Sequence, residues 1–517
     1  MDHYIKKILN ARVYDVSKET ALDAAPGLSA KTGNQVLLKR EDLQPVFSFK
    51  CRGAYNRIFK LQQQYPNTEG VVCASAGNHA QGVALSASRL GIKSVIVMPK
   101  TTPTIKINAV KNLGGEAVLF GDTYDEAQAH ARELEQSTGF AYIHPFNDVD
   151  TIAGQGTIGV ELCRQFSGHL DAVFLPIGGG GLAAGVSVLL KYLRPEVKII
   201  GVEPEDAASM KASLTAGKPV VLDQVGIFAD GVAVKSPGDE TFRICSQTLD
   251  DVITISVDEM CAAIRDVFDD TRSVMEPAGA LSVAGLKKYV SQNAVSEKNL
   301  IAITTGANVN FDRLRHVTER AEIGEQREAL FAVTIPEQAG SFRHFCEMLG
   351  KRSVTEFNYR YSDDNSANVF VGVQLSDGMT ERQQIIVDLH SSDFVVEDLT
   401  DNEVAKLHVR HMVGGRSPSI ENELLYRFEF PERPGALATF LNHMGHDWNI
   451  TLFHYRNHGA AFGRVLVGMQ VPPGDISKGD VSSGDISNYG KFQKFLDELG
   501  YRYWCEDGNV AYQMFLA

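Results

Sequence analysis

The stretch 173–184, VFLPIGGGGLAA, joins an apolar run to four consecutive glycines and then to a segment of helical composition. The first three residues are all apolar, as in a strand that is buried on both faces of a parallel sheet. A glycine turn between such a strand and a helix is typical of an open α/β fold, in which ligands bind at the carboxyl ends of the strands. This stretch therefore predicts a fold class and a ligand-binding edge.

The same pattern extends from about residue 36 to residue 310. Segments of helical length, such as 78–90 and 182–193, separate short runs that are mostly uniformly apolar. Parallel strands need crossover connections of this length. We therefore predict a doubly wound α/β fold whose strands include residues 36–38, 71–73, 95–97, 117–119, 173–175, 199–202 and 301–303.

The glycines at 178–181 have two interpretations. Residues 179–184 fit the pattern G-x-G-x-x-A, and Glu203 follows 24 residues after its first glycine. This is a near match to the dinucleotide-binding fingerprint of a Rossmann dehydrogenase. Four consecutive glycines, however, suit a cup of backbone N–H groups around one terminal phosphate. The segment also lies near the sixth strand, whereas the fingerprint usually opens the nucleotide-binding unit, so we favour a single phosphate.

Lys50 is the candidate nucleophile. Most lysines are solvated surface residues, and Lys39 and Lys60 are expected to be so. Lys50 instead lies between Phe49 and Cys51, and apolar surroundings lower the pKa of a lysine towards the range that covalent catalysis needs. A primary amine, an amide-bearing turn and a phosphate cup are what a protein needs to hold pyridoxal phosphate. We therefore predict an enzyme that acts on amino acids.

Two further strand ends complete this predicted site. Residues 75–79 (SAGNH) could simply form a βα turn capped by Ser75, but the N–H groups at a helix start also bind carboxylates. Asn78 offers an amide donor to the ring hydroxyl of the cofactor. Thr305 ends the last strand, where its hydroxyl would meet the pyridine nitrogen. A hydroxyl partner keeps that nitrogen neutral, which favours loss of a β-substituent over racemisation or transamination.

The pattern changes after about residue 320 and then repeats. Residues 330–342 (LFAVTIPEQAGSF) return as 425–437 (LYRFEFPERPGAL) at an offset of 95. Two copies are too few for a solenoid, so we predict a pair of small α+β modules. The linker between them is expected at 414–418 and a Gly/Ser/Asp-rich loop at 472–488. The predicted domains are 1–320, 321–415 and 416–517.

Composition restricts the partners and the location. The formal net charge of −14 over 517 residues disfavours nucleic acid or an anionic membrane as the main partner. No apolar stretch approaches the roughly 20 residues that span a bilayer, and the first residues lack a signal-peptide core. The seven cysteines are scattered, and the histidines lack metal-ligand spacing. We predict a cytoplasmic protein without a metal site.

These motifs, in this order, resemble those of the biosynthetic threonine deaminases (threonine ammonia-lyases), which are fold type II pyridoxal-phosphate enzymes. The resemblance rests on residues 39–54, on SAGNHAQG at 75–82 and on GGGGL at 178–182. The C-terminal pair resembles ACT-like regulatory domains. The implied fold is a catalytic part of two open parallel-sheet lobes, followed by two α+β ACT-like domains.

The resemblance implies roles for individual residues. Lys50 would bind the cofactor and then remove the Cα proton. The cofactor-binding set would be Lys50, Asn78, Gly178, Gly179, Gly180, Gly181, Leu182 and Thr305, and the substrate-binding set Ser75, Ala76, Gly77, Asn78 and His79. Thr305 stands where the family commonly has serine. Serine racemases carry a serine where this chain has Ala76, which argues for elimination without racemisation.

The implied reaction converts L-threonine to 2-oxobutanoate and ammonia, the committed step of isoleucine biosynthesis, with L-serine as a second substrate. The C-terminal modules would bind isoleucine as inhibitor and valine as antagonist, in a homo-oligomer expected to be a tetramer. Three alternatives remain: a related lyase or β-replacement enzyme acting on serine or O-acetylserine, the dehydrogenase, and an amino-acid sensor with an inactive catalytic part.

Overall fold

The computed structural model describes residues 1–336, 344–345, 348–350, 352, 354–360, 366–411, 422–431, 436–444, 448–456, 462–476 and 490–516. The chain forms two compact units, Met1–Ala321 and Glu322–Ala517. The predicted linker at 414–418 and most of the predicted loop at 472–488 lie outside the described residues.

The first unit contains ten strands and twelve complete α-helices among its described residues, and a thirteenth α-helix continues from it into the second unit. The strands are β1 (Leu22–Ala24), β2 (Gln35–Arg40), β3 (Gly70–Ala74), β4 (Lys93–Met98), β5 (Glu116–Leu119), β6 (Ala141–Tyr142), β7 (Ala172–Pro176), β8 (Lys198–Pro204), β9 (Asp251–Ile255) and β10 (Asn299–Thr304). The helices are α1 (Asp2–Leu9), α2 (Pro26–Thr32), α3 (Lys50–Gln64), α4 (Asn78–Leu90), α5 (Thr104–Asn112), α6 (Tyr124–Thr138), α7 (Val149–Gln165), α8 (Gly181–Leu193), α9 (Ser209–Ala216), α10 (Asp239–Thr248), α11 (Val257–Thr271), α12 (Pro277–Asn293) and α13 (Arg313–Gly324).

These strands form two open sheets, as the sequence predicts. The smaller sheet has the order β5-β4-β3-β6, and all its neighbours are parallel. The larger sheet has the order β1-β2-β10-β7-β8-β9, and only the short β1 runs antiparallel to its neighbour. All seven predicted apolar runs fall within strands. The two-lobed fold is therefore confirmed.

Burial on both faces explains the uniform apolarity of the interior strand β7. In β7, Phe174 packs into the hydrophobic cluster on one face of the large sheet, whereas Val173 and Leu175 pack into the cluster on the other face. All three side chains are fully buried. Successive strand residues point to opposite faces, so a strand covered on both sides needs apolar residues at every position.

Close backbone contacts fix the start of α3, which carries Lys50. A Cβ built on Gly154 of α7 would lie 2.7 Å from the Cα of Gly53, so the two helices touch backbone to backbone. A Cβ on Gly82 of α4 would lie 3.1 Å from the carbonyl carbon of Lys50. Larger residues at either glycine would push the neighbouring helix away from the Lys50 backbone.

A buried charge cluster joins α3 and α7 just beyond this contact. The Arg52 guanidinium donates to Glu41 at 2.8 Å and to Glu161 at 2.6 Å, and Lys39 Nζ lies 2.6 Å from Glu161. All four side chains are fully buried. The prediction that Lys39 is a surface residue is therefore wrong, because its carboxylate partner is supplied by a helix 122 residues further along the chain.

The second unit contains two four-stranded antiparallel sheets. Its strands are β11 (Glu328–Pro336), β12 (Val354–Arg360), β13 (Ser366–Gln374), β14 (Val395–Asp398), β15 (Glu423–Pro431), β16 (Asn449–Arg456), β17 (Phe462–Gln470) and β18 (Arg502–Cys505). Its described helices after α13 are α14 (Gly378–Ser391), α15 (Glu403–Leu407), α16 (Ala436–Met444), α17 (Lys491–Leu499) and α18 (Val510–Phe515). The sheet orders β12-β13-β11-β14 and β16-β17-β15-β18 match, which confirms the predicted α+β repeat.

The two repeats meet through equivalent residues. Asn402 caps α15, Asn509 caps α18, and the Nδ2 of Asn402 donates to the Oδ1 of Asn509 at 3.2 Å. Apolar side chains of both repeats, including Leu330 and Leu425 at the start of β11 and β15, share one hydrophobic cluster. The repeats therefore form a single compact unit rather than two separate domains.

Candidate active site

Lys50 is the first residue of α3 and lies at the carboxyl edge of the sheets. Its Nζ donates to the main-chain oxygen of Pro145 at 3.2 Å and lies 5.4 Å from the centroid of the Phe49 ring. Burial lowers the pKa of the Lys50 amine to about 8, although the nearby Glu276 carboxylate opposes this shift. The lysine therefore has the lowered pKa that its apolar sequence neighbours predict.

The glycine loop follows β7 and leads directly into α8. Side chains of other segments fill the space that a Cβ would need: a Cβ on Gly179 would lie 2.3 Å from the Phe146 ring. Gly180 has φ +90°, a left-handed backbone that favours glycine, and its Cβ would lie 2.9 Å from Met210 and Thr241. The loop can follow this path only with glycine at these positions.

The loop ends at the start of a helix, where backbone N–H groups can bind an anion. The Gly179 carbonyl oxygen accepts from Thr241 Oγ1 at 2.6 Å and from the Gly238 N–H at 3.4 Å. This carbonyl is therefore hydrogen-bonded within the protein. The first N–H groups of α8, in contrast, have no acceptor within the helix, and the helix dipole is positive at this end. A terminal phosphate fits this cradle of Gly178, Gly179, Gly180, Gly181 and Leu182.

Asn78 begins α4 and lies in a chain of polar side chains. Its Nδ2 donates to Glu276 Oε1 at 2.5 Å, and its Oδ1 accepts from Asn308 Nδ2 at 2.6 Å. Sequence reasoning missed both Glu276 and Asn308. The signal that could have found Glu276 is a lone carboxylate before Pro277 in an apolar segment, 273–286 (SVMEPAGALSVAGL).

Glu276 is almost fully buried, at 4% exposure. Burial and the neighbouring Asp230 raise the pKa of its carboxyl to about 7, while Asn78, Lys106 and Arg313 act in the opposite direction. Asp230 itself pairs with Lys106 at 2.7 Å. The site thus contains a carboxyl group whose charge changes near neutral pH.

The segment 75–79 is positioned between β3 and α4, as predicted. Ser75 Oγ accepts from the Gly77 N–H at 3.3 Å, and Ala76 offers no polar side chain. His79 Nε2 contacts the Ile143 main-chain oxygen at 2.9 Å, and burial lowers its pKa to about 3. The Nε2 of the neutral imidazole is thus engaged within the protein.

Thr305 follows β10 and lies beside the Lys50 segment. The Phe49 N–H donates to Thr305 O at 3.3 Å, and Thr305 Oγ1 donates to Ala278 O at 3.1 Å. A hydroxyl has a single hydrogen, so donating to a ring nitrogen would replace the bond to Ala278.

The dinucleotide alternative fails at Glu203. That carboxylate accepts from the N–H groups of Met210 at 2.8 Å and Lys211 at 2.9 Å, and so stabilises the first turn of α9. It is fully buried. A carboxylate used in this way cannot bind a ribose.

Comparison with known proteins agrees with this geometry. The family described as pyridoxal-phosphate dependent enzyme matches residues 13–306. The family described as C-terminal regulatory domain of threonine dehydratase matches residues 319–409 and 414–516. The fold and the site thus define a pyridoxal-phosphate-dependent enzyme of fold type II with a C-terminal regulatory part.

Full-length relatives narrow this class. The chain is 54% identical to an L-threonine dehydratase biosynthetic IlvA of Burkholderia multivorans over 99% of each chain. It is 52% identical to the Escherichia coli protein of the same name, over 99% of this chain and 97% of that one. A solved threonine deaminase isoform 2 from Solanum lycopersicum is 49% identical, with a TM-score of 0.61 over 62% of this chain and 88% of that chain. The chain belongs to the biosynthetic threonine dehydratases, which confirms the resemblance.

The described residues contain neither a candidate membrane-spanning helix nor a candidate metal site. No helix among them has the length and apolarity required for a membrane span. Within the same residues, no group of three or more His, Cys, Asp or Glu side chains is arranged to hold a metal ion.

Proposed function

We propose that this protein dehydrates and deaminates L-threonine to 2-oxobutanoate and ammonia, the committed step of isoleucine biosynthesis. The observation that carries the proposal is the Lys50 amine, which burial makes less basic and which lies, like the glycine cradle and the Asn78 amide, beyond the carboxyl ends of the parallel strands. Relatives that share half of the sequence over their whole length bear the name threonine dehydratase.

Lys50 is the proposed base. Bound at this site, pyridoxal phosphate supplies an electron sink for the charge that forms when the Cα–H bond breaks. Lys50 Nζ would hold the cofactor and would accept the Cα proton of the substrate. A fall in pKa from 10.5 to about 8 raises the neutral fraction of the amine at pH 7 about 300-fold.

The other residues bind and orient. The N–H groups of residues 178–182 would hold the phosphate, and an N–H of Asn78 would donate to the ring oxygen. Ser75 and the backbone of residues 76–79 would bind the substrate carboxylate at the start of α4. Thr305 would donate its hydroxyl hydrogen to the ring nitrogen, and a neutral ring nitrogen would favour prompt loss of the β-hydroxyl.

Substrate preference is tested by comparing turnover of L-threonine, L-serine and O-acetylserine by the full-length protein. We expect threonine to have the highest kcat/KM and serine to be a slower substrate of the same reaction. A clear preference for O-acetylserine would instead support a β-replacement enzyme.

For the second unit we propose feedback regulation, with isoleucine as inhibitor and valine as its antagonist. The support is the pair of matching modules, which belong to the regulatory domain family of threonine dehydratase.

We also propose a cytoplasmic homotetramer with domain limits near 320 and 415. Analytical ultracentrifugation with and without isoleucine tests the assembly, and a stable dimer in both conditions would contradict it.

A further inference from the structure

The hydrogen bonds around Asn78 fix which end of its amide faces each neighbour. Asn308 Nδ2 donates to the Val46 main-chain oxygen at 2.9 Å, so the nitrogen of the Asn308 amide must lie on this side. The same nitrogen donates to Asn78 Oδ1, which places the Asn78 nitrogen against Glu276. The orientation is therefore transmitted from a backbone carbonyl, through Asn308, to Asn78.

This arrangement leaves one donor available. A primary amide has two N–H groups, and Asn78 gives one of them to Glu276. An asparagine without such contacts can turn its amide by half a rotation and present an acceptor in place of a donor. The ring oxygen of the cofactor is an acceptor, so a turned amide would repel it.

We propose that Glu276 and Asn308 are positioning residues that hold the Asn78 amide with an N–H directed at the ring oxygen of the bound cofactor. The inference deepens the proposed function, because it rests on the role of Asn78 given there. Sequence motifs do not assign either residue, since they lie 198 and 230 positions from Asn78.

Glu276 is almost fully buried, at 4% exposure, so little solvent reaches the carboxylate that accepts the Asn78 N–H. A Cβ on Gly306 would lie 2.3 Å from Glu276 Oε1, and a Cβ on Gly231 would lie 3.8 Å from it. The absence of a side chain at Gly306 thus leaves room for the carboxylate to reach Asn78, whereas the distance from Gly231 is an ordinary contact.

The test uses the visible absorbance of the bound cofactor and its dissociation constant, measured by titration of full-length variants. Asn78→Ala is expected to shift the absorption band and weaken cofactor binding about 10-fold, the effect of losing one oriented hydrogen bond. Glu276→Leu and Asn308→Ala are expected to shift the band in the same direction and weaken binding about 3- to 10-fold. Glu276→Gln keeps an acceptor oxygen and is expected to retain the wild-type band.

A double-mutant cycle separates positioning from a general structural role. If Glu276 acts through Asn78, adding Glu276→Leu to Asn78→Ala produces no further loss of cofactor affinity. Glu328→Gln, a buried carboxylate of the second unit, is the control and is expected to leave the band unchanged.

The outcomes are distinct. An unshifted band in Asn78→Ala would refute the role of Asn78 in the proposed function and the positioning inference with it. A shifted band in Asn78→Ala but not in Glu276→Leu or Asn308→Ala would overturn the inference alone. Fully additive losses in the double mutant would also overturn it, because Glu276 would then act independently of Asn78.

Discussion

Burial acts in opposite directions on the two ionisable groups nearest the centre of the site. It lowers the pKa of Lys50 to about 8 and raises the pKa of Glu276 to about 7. In both residues the neutral form gains, because removing a charge from water is costly. The pKa values of the proposed base and of the carboxyl that accepts the Asn78 N–H thus both lie near neutral pH.

The raised pKa of Glu276 has a consequence for stability. Its carboxyl binds a proton more tightly in the folded than in the unfolded protein, so it contributes stability below about pH 4.5 that is lost as the pH rises to about 7. The loss amounts to about 3 kcal/mol at most. Glu276→Gln does not titrate, so its Tm relative to wild type should rise by about 5 °C between pH 4.5 and pH 8. A Tm difference that does not change with pH would contradict the assigned shift.

At the residue scale, the sequence identifies groups that belong to local motifs and misses those defined by distant partners. Lys50 and Asn78 lie in short motifs and could be selected without a structure. The sequence around Lys39 predicts a surface residue, because nothing near it in sequence indicates its ion pair with Glu161. Glu276 and Asn308 were missed for the same reason, since their contacts with Asn78 exist only after the two lobes assemble.

At the scale of elements, the loop between β7 and α8 leaves little space for side chains at its glycine positions. Gly179→Ala places a methyl group within 2.3 Å of the Phe146 ring, so the loop or the ring must move. We expect cofactor affinity to fall at least about 100-fold, since several phosphate hydrogen bonds depend on this loop. Titration of the visible cofactor band measures the change.

Two companion variants make that result interpretable. Phe146→Ala combined with Gly179→Ala provides space for the methyl group and should recover part of the affinity. Gly168→Ala, where a Cβ would lie 3.5 Å from the Phe166 ring, is the matched control and should bind the cofactor normally. Equal losses in Gly168→Ala and Gly179→Ala would show that the cradle is not the cause.

Buried ion pairs also contribute to the contact between α3 and α7. Arg52→Met leaves the buried carboxylates of Glu41 and Glu161 without their shared cation, which should cost about 3–5 kcal/mol of stability. The control is Arg164, which lies on α7 and forms an exposed ion pair with Glu19. Arg164→Met removes this ion pair and should cost less than about 1 kcal/mol of stability. Chemical denaturation of both variants measures the difference, and equal midpoints would rule out a stabilising role for the cluster.

Element positions were more predictable than their contacts. Each predicted run in the first unit lies in a strand, and in β7 burial on both faces explains why apolar residues occupy the whole run. The order of the strands in the two sheets could not be derived in this way, because pairing joins residues as distant as Leu38 and Ala302.

At the scale of the whole molecule, two units divide the proposed tasks. The first contains every residue of the candidate site, and the second contains the duplicated modules, whose capping residues Asn402 and Asn509 meet. A chain truncated after about Arg320 should therefore retain threonine turnover and lose inhibition by isoleucine. Steady-state rates with increasing isoleucine test this expectation. Inhibition of the truncated enzyme by low isoleucine would place the effector site in the first unit.

The central claim is that Lys50 holds pyridoxal phosphate and removes the Cα proton of threonine. The most direct measurement is the visible absorbance spectrum of the purified protein before and after threonine is added, with Lys50→Ala beside it. We predict a yellow protein whose band threonine perturbs while oxoacid accumulates, and a variant that shows neither effect, with a rate at least about 1,000-fold lower. A wild-type protein that stays colourless and inert after pyridoxal phosphate is supplied would contradict the account.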